Sequence, residues 1–164
     1  MRKTRLSAIG LVAATAAASA PAALGSAAST RMEAPPATRT IHVTAQLLTG
    51  DEIDLGAPGR SVGDETVFSG LLFTTTDPAR RVGRFGGYCV LDDLARNAGQ
   101  CAMTATLAGD QISVVGEQEA IPTPRTVANA VTGGTGAFRR VRGQVIQQFV
   151  TPATRDLTFQ LSLR

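Results

Sequence analysis

The chain of 164 residues has no tryptophan, a single tyrosine and only 4% aromatic residues. It therefore has no flat platform on which bases or sugars could stack. One histidine and two cysteines, without a Cys-x-x-Cys pair, leave no ligand set for a metal. Lysine occurs once, at Lys3. The net charge of +3 is also less informative than it looks, because Arg2, Lys3 and Arg5 lie in the first 28 residues, which hold no acid. Of the 16 basic groups, 13 remain beyond that point to face 13 acidic ones. A neutral remainder lacks the positive field that binding to nucleic acid requires.

The basic start precedes an uncharged, alanine-rich run, Leu6–Ala20, followed by small residues, with Ser26-Ala27-Ala28 as a small-x-small cleavage site. This is the layout of a secretory signal peptide, and it predicts export with residues 1–28 removed. The run is shorter and less apolar than the roughly 20 residues that span a bilayer, so no membrane span is expected after cleavage. Residues 29–40, with Pro35-Pro36 and no periodicity, read as a disordered lead-in. The rest, 41–164, is the right size for one domain.

No long stretch keeps an apolar 3.6-residue period, which argues against helices. Instead, short runs recur between turns at about 41–49, 65–75, 81–91, 100–108, 111–119, 126–132, 141–150 and 155–163. That spacing predicts an all-β domain of eight strands. Ala130–Val145 is the organising stretch, because Gly133, Gly134 and Gly136 interrupt a strand that resumes near Val141. Glycines this dense also cradle phosphates, but a phosphate loop leads into a helix and carries Lys with Ser or Thr. These glycines lead instead to Arg142 and a β-branched, Gln-rich run, so the stretch reads as a corner between strands.

Gly109-Asp110 has the chemistry of a two-residue hairpin turn. Pairing outward from it sets Leu107 opposite Ile112, Ala105 opposite Val114 and Met103 opposite Gly116. These share an apolar face, with Thr104, Thr106, Ser113, Glu117 and Glu119 on the other. If Cys89 and Cys101 face each other on the neighbouring strands, Gly87 meets Met103 and Phe85 meets Ala105, which extends the same face. Export favours a disulfide between these two cysteines. The alternative is a free pocket thiol at Cys89.

Four motifs then carry a resemblance: VGDETVF (Val62–Phe68), RRVGRFGGYCVL (Arg80–Leu91), AGDQISVVG (Ala108–Gly116) and NAVTGGTGAF (Asn129–Phe138), the last followed by the RGQV of Arg142–Val145. In this order and spacing the chain resembles the allene oxide cyclase barrel family, which is related to the dirigent proteins. The resemblance implies a closed eight-stranded antiparallel barrel around a ligand cavity, working without a cofactor. It also implies self-association into a homo-oligomer. The family's first-strand Glu and Asn have no counterpart in Ile41–Leu48, and Gly70 stands where the family has a pocket Asn, while the pocket Cys matches Cys89. The expectation is a cavity of this class that holds a small apolar ligand or substrate. The alternative is a cofactor-free cyclase or dirigent-type protein that steers a reactive polyketide, lipid or phenolic intermediate.

The expected lining is Thr66, Phe68, Phe85, Cys89, Met103, Ile112 and Val114. Among Arg139, Arg140 and Arg142, Arg142 is the candidate for an anionic group on a ligand, because it lies in the re-entry motif. His42 is a candidate base at the mouth, against the plainer reading of a solvated strand residue. Glu117, Glu119 and Tyr88 are expected to face solvent. Asp92-Asp93 lacks the spaced series of ligands that calcium needs.

Overall fold

The computed structural model describes residues 37–120 and 125–163. The expected signal peptide, and the expected lead-in as far as residue 36, lie outside the described residues. From Ala37 the chain forms eight strands: β1 (Ala37–Ile53), β2 (Glu65–Thr74), β3 (Arg81–Asp93), β4 (Ala98–Leu107), β5 (Asp110–Glu119), β6 (Thr126–Gly134), β7 (Val141–Thr151) and β8 (Thr154–Leu163). Each pairs antiparallel with the next, and β1 pairs with β8, so the sheet closes into a barrel with no free edge. Residues 37–40, expected in the lead-in, belong to β1 and pair with residues 160–163 of β8.

Alternation along each strand decides what fills the barrel. Val43 and Ala45 of β1, Phe85 and Cys89 of β3, Met103 and Ala105 of β4, and Leu157, Phe159 and Leu161 of β8 all point inward and are buried. Tyr88, which alternates with Cys89, points out and is 49% exposed. On the outer wall Val67, Tyr88, Ala102 and Val115 lie side by side across β2 to β5.

The β4–β5 hairpin corrects the expected register. Its turn residues are Ala108 (φ 51°) and Gly109 (φ 92°), so Leu107 faces Asp110, Ala105 faces Ile112 and Met103 faces Val114. Two positive φ values in succession define the primed turn that matches strand twist. Asp110 belongs to the strand, and its Oδ2 accepts the Ala137 N–H at 2.9 Å. The two-residue shift preserves the inward face, so the residues assigned to it stay there.

The glycine-rich stretch is a corner, as expected. Gly136–Phe138 form one 3-10 turn, and the Thr135 N–H donates to the Gln111 carbonyl at 2.9 Å. Gly136 (φ 51°) admits no side chain, since a Cβ there would collide with the Asp110 carboxylate. The turn drives Phe138, 4% exposed, into the end of the barrel, where it joins Val141, Leu161 and Ile112 in the core and closes that end.

Cys89 and Cys101 face each other across β3 and β4 and form a disulfide. Cys89 is therefore no free thiol. The bond closes a separation of 12 residues in the unfolded chain. Replacing both cysteines by alanine is expected to lower the unfolding free energy by about 3 kcal/mol. Urea denaturation checks this, and an unchanged midpoint would contradict it.

Candidate functional site

The end of the barrel opposite Phe138 gathers the loops β1–β2, β3–β4 and β7–β8 with the end of β5 and the start of β6. A cavity of about 300 Å³ opens there, lined by Glu52, Ile53, Asp54, Gly59, Arg60, Asp64, Glu65, Thr66, Cys89 and Leu91. Asp64 organises its wall. It accepts the Ser61 N–H at 2.7 Å and the Leu55 N–H at 3.0 Å, which pins the loop between β1 and β2. These hydrogen bonds, that from Ser61 first, hold the Asp64 carboxyl below the usual range. Arg60 of the same loop donates to Asn97 Oδ1 in the turn between β3 and β4, bridging the mouth. Asp93, the last residue of β3, is lowered as well, by the backbone N–H of Arg96 and then by its guanidinium. Arg96 also holds Glu117 and Glu119, each at 2.8 Å, on the outer surface.

Of the seven residues expected to line a pocket, Thr66 and Cys89 border this cavity. Phe68, Phe85, Met103, Ile112 and Val114 lie deeper and pack into one cluster with the rest of the core. Inward glycines make that packing fit. A Cβ on Gly70 would strike the Phe85 ring and the Gln46 carbonyl, and one on Gly87 would strike the Phe68 ring and the Ala102 carbonyl. Gly70, standing where the resembled family has an Asn, is thus the seat of Phe85. Gly70→Ala is expected to cost about 1–3 kcal/mol through overpacking. Thermal unfolding measures this, and an unchanged Tm would contradict the account.

The remaining candidates sit elsewhere. Arg142 is exposed near the start of β7, at the Phe138 end, and donates to the Val141 carbonyl at 2.8 Å. It is therefore at the opposite end of the barrel from the cavity. His42 is exposed on the outer wall beside Thr158 Oγ1, 3.1 Å away. Neither reaches the cavity.

The group that sequence reasoning missed is Arg155. Its alternation with Leu157, Phe159 and Leu161 on β8 was the available signal, because that period points it inward. It is 8% exposed. Its guanidinium carbon lies 4.4 Å from the Phe149 ring centroid, 5.7 Å from Phe68 and 5.9 Å from Phe85. Its Nη1 donates to Gln147 Oε1 at 3.5 Å, Gln147 Nε2 donates to Asn129 Oδ1 at 2.7 Å, and Asn129 Nδ2 donates to the Glu117 carbonyl at 3.1 Å. Gly116 leaves the space that the Asn129 amide occupies. No carboxylate among the described residues pairs with Arg155.

A buried guanidinium without a counter-ion is costly. Losing its water costs several kcal/mol, whereas each aromatic contact returns roughly 0.5–2 kcal/mol and the single long hydrogen bond adds little. Burial pushes Arg155 down to about 10. It stays charged at neutral pH, and the penalty falls away only as pH rises past about 10. Arg155→Met, similar in volume and uncharged, is therefore expected to raise Tm by about 2–8 °C, the change that ~1 kcal/mol produces in domains of this size range. Calorimetry measures it, and a clear fall in Tm would contradict the account.

A family model described as Dirigent-like protein matches residues 32–164. The chain belongs to the dirigent-like family. The resemblance to allene oxide cyclases thus resolves onto their dirigent relatives. Among solved structures, a pyocyanin demethylase is similar at 25% identity and TM-score 0.65, over 75% of this chain and 99% of that one. A pterocarpan synthase dirigent protein matches at 18% identity and TM-score 0.63, over 87% and 99%. An exo-specific intermolecular Diels-Alderase matches at 11% identity and TM-score 0.62, over 77% and 98%. The last two, at these identities, establish the shared dirigent-like barrel. No curated protein matches significantly.

Proposed function

We propose that this dirigent-like protein acts after export as a barrel that takes a small, largely apolar molecule into its open end. The observation that carries the reading is the asymmetry of the barrel: one end is sealed by Phe138, while the other holds a cavity of about 300 Å³. That volume is at the low end for ligand pockets and suits a molecule of a few fused rings or a short chain. Thr66 and the Cys89 disulfide form its inner boundary, and Ile53 and Leu91 supply apolar wall.

A second reading is favoured by Arg155. In this reading the barrel steers ring closure or coupling of a reactive polyketide, lipid or phenolic intermediate, and the chain needs no cofactor to do so. The walls fix the conformation of the intermediate, and a preorganised cation stabilises negative charge that develops on oxygen. The similarity to proteins named for pterocarpan synthesis, Diels–Alder reaction and pyocyanin demethylation agrees with chemistry on small ring systems.

The test is binding of a neutral apolar fluorophore, N-phenylnaphthylamine. The protein is expected to enhance its emission saturably, and Thr66→Trp, which fills the cavity from its inner wall, is expected to abolish the enhancement. An equal response from the folded variant would place the probe elsewhere and overturn the reading.

A further inference from the structure

Arg155 is a recognition element with nothing in the fold to recognise. Its charge is nearly as buried as the aliphatic core, yet its side chain is held by the single 3.5 Å hydrogen bond to Gln147. Structural arginines in protein interiors are ordinarily held by carboxylates or several carbonyls. Here three phenyl rings surround the cation, and a chain of amides fixes the one acceptor: Asn129 is anchored on the Glu117 carbonyl and in turn holds Gln147. A guanidinium has five N–H donors in a planar fork. Most of that fork has no acceptor among the described residues, and since none of their buried side-chain nitrogens lacks a partner, the unbonded nitrogens of Arg155 keep some contact with solvent.

Position ties this cation to the cavity. Thr66 lines the cavity and Phe68, two residues further along the same face of β2, touches the guanidinium at 5.7 Å. On β7, Phe149 stacks on the guanidinium at 4.4 Å and is itself only half-buried near the same end of the barrel. Arg155, Phe68 and Phe149 are not among the residues that line the cavity, so the cation lies beyond its inner boundary and a molecule entering there meets it only when a ring moves aside.

Resting on the proposed small-molecule site, we propose that Arg155 selects its ligand. The structure points to a flat, conjugated molecule carrying one ionised oxygen group, a carboxylate or phenolate. The oxygen sits on the Arg155 fork, with Gln147 holding the guanidinium, and the ring system lies against Phe68 and Phe149. Such a ligand supplies the missing counter-charge, and its π-system matches an aromatic surround that a flexible saturated anion would not. Neutral terpenoid ligands that a purely apolar barrel would accept are bound less well here, because they bring no counter-charge to the cation.

The experiment compares naphthalene-2-carboxylate with the neutral naphthalene-2-carboxamide by isothermal titration calorimetry on the mature protein, Arg155→Met and Arg142→Met. The wild type is expected to bind the carboxylate about tenfold or more tightly than the amide, as hydrogen bonds to a charged group imply. Arg155→Met is expected to lose that preference while still binding the amide, which shows that its cavity is intact. Arg142→Met is expected to behave as wild type. Equal binding of both probes by the wild type overturns the role of Arg155 and leaves the small-molecule site standing. Loss of the preference in Arg142→Met alone places the anion at the other end and also overturns it. Binding of neither probe by the folded wild type removes the site itself and the inference with it.

Discussion

Closing a sheet on itself forces every second side chain of eight strands into one enclosed volume, and the rest of this structure depends on how that volume is shared. At one end it is filled to exclusion. Phe138, Val141, Leu161 and Ile112 pack together because the glycine corner tips Phe138 inward. Towards the other end, filling requires subtraction. Gly70, Gly87 and Gly116 give up their side chains so that Phe85, Phe68 and Asn129 can lie over the neighbouring strand. The result is a gradient from a dry plug to a polar chamber holding Gln118, Asn129, Gln147 and Arg155.

That gradient separates stability from function along the barrel. The plug, the disulfide and the closed hydrogen-bonded ladder stabilise the fold. The buried guanidinium opposes it through the water it loses, a cost that its three aromatic neighbours offset in part. A domain stable by only a few kcal/mol carries such a group at a real cost. The cost is offset when a bound anion brings the missing charge, so stability and ligand occupancy are linked in this protein.

The sequence disclosed the frame better than the chamber. Strand count, the inward face of β3, β4 and β5 and the facing cysteines were legible because alternation and turn chemistry are local signals, whereas closure rested on the family resemblance. The hairpin slipped by two residues because Gly109-Asp110 and Ala108-Gly109 are both acceptable turns, and only the capture of Asp110 by the Ala137 N–H decides between them. The chamber was misread in charge. Arg142 drew attention as part of a motif, whereas Arg155 lay unmarked between Thr154 and Asp156, although its period with Leu157 and Phe159 placed it inside. The role of Gly70 was equally hidden, because the ring it seats belongs to the next strand, and only the β2–β3 register brings the two together.

The central claim is that the guanidinium of Arg155 meets the ligand directly. The most direct test follows its Nε–Hε resonance, assigned by its loss in Arg155→Met, as naphthalene-2-carboxylate is added to the folded protein. The account predicts a saturable shift of that resonance, with a midpoint equal to the calorimetric affinity. A resonance that stays still while binding heat accumulates would contradict it.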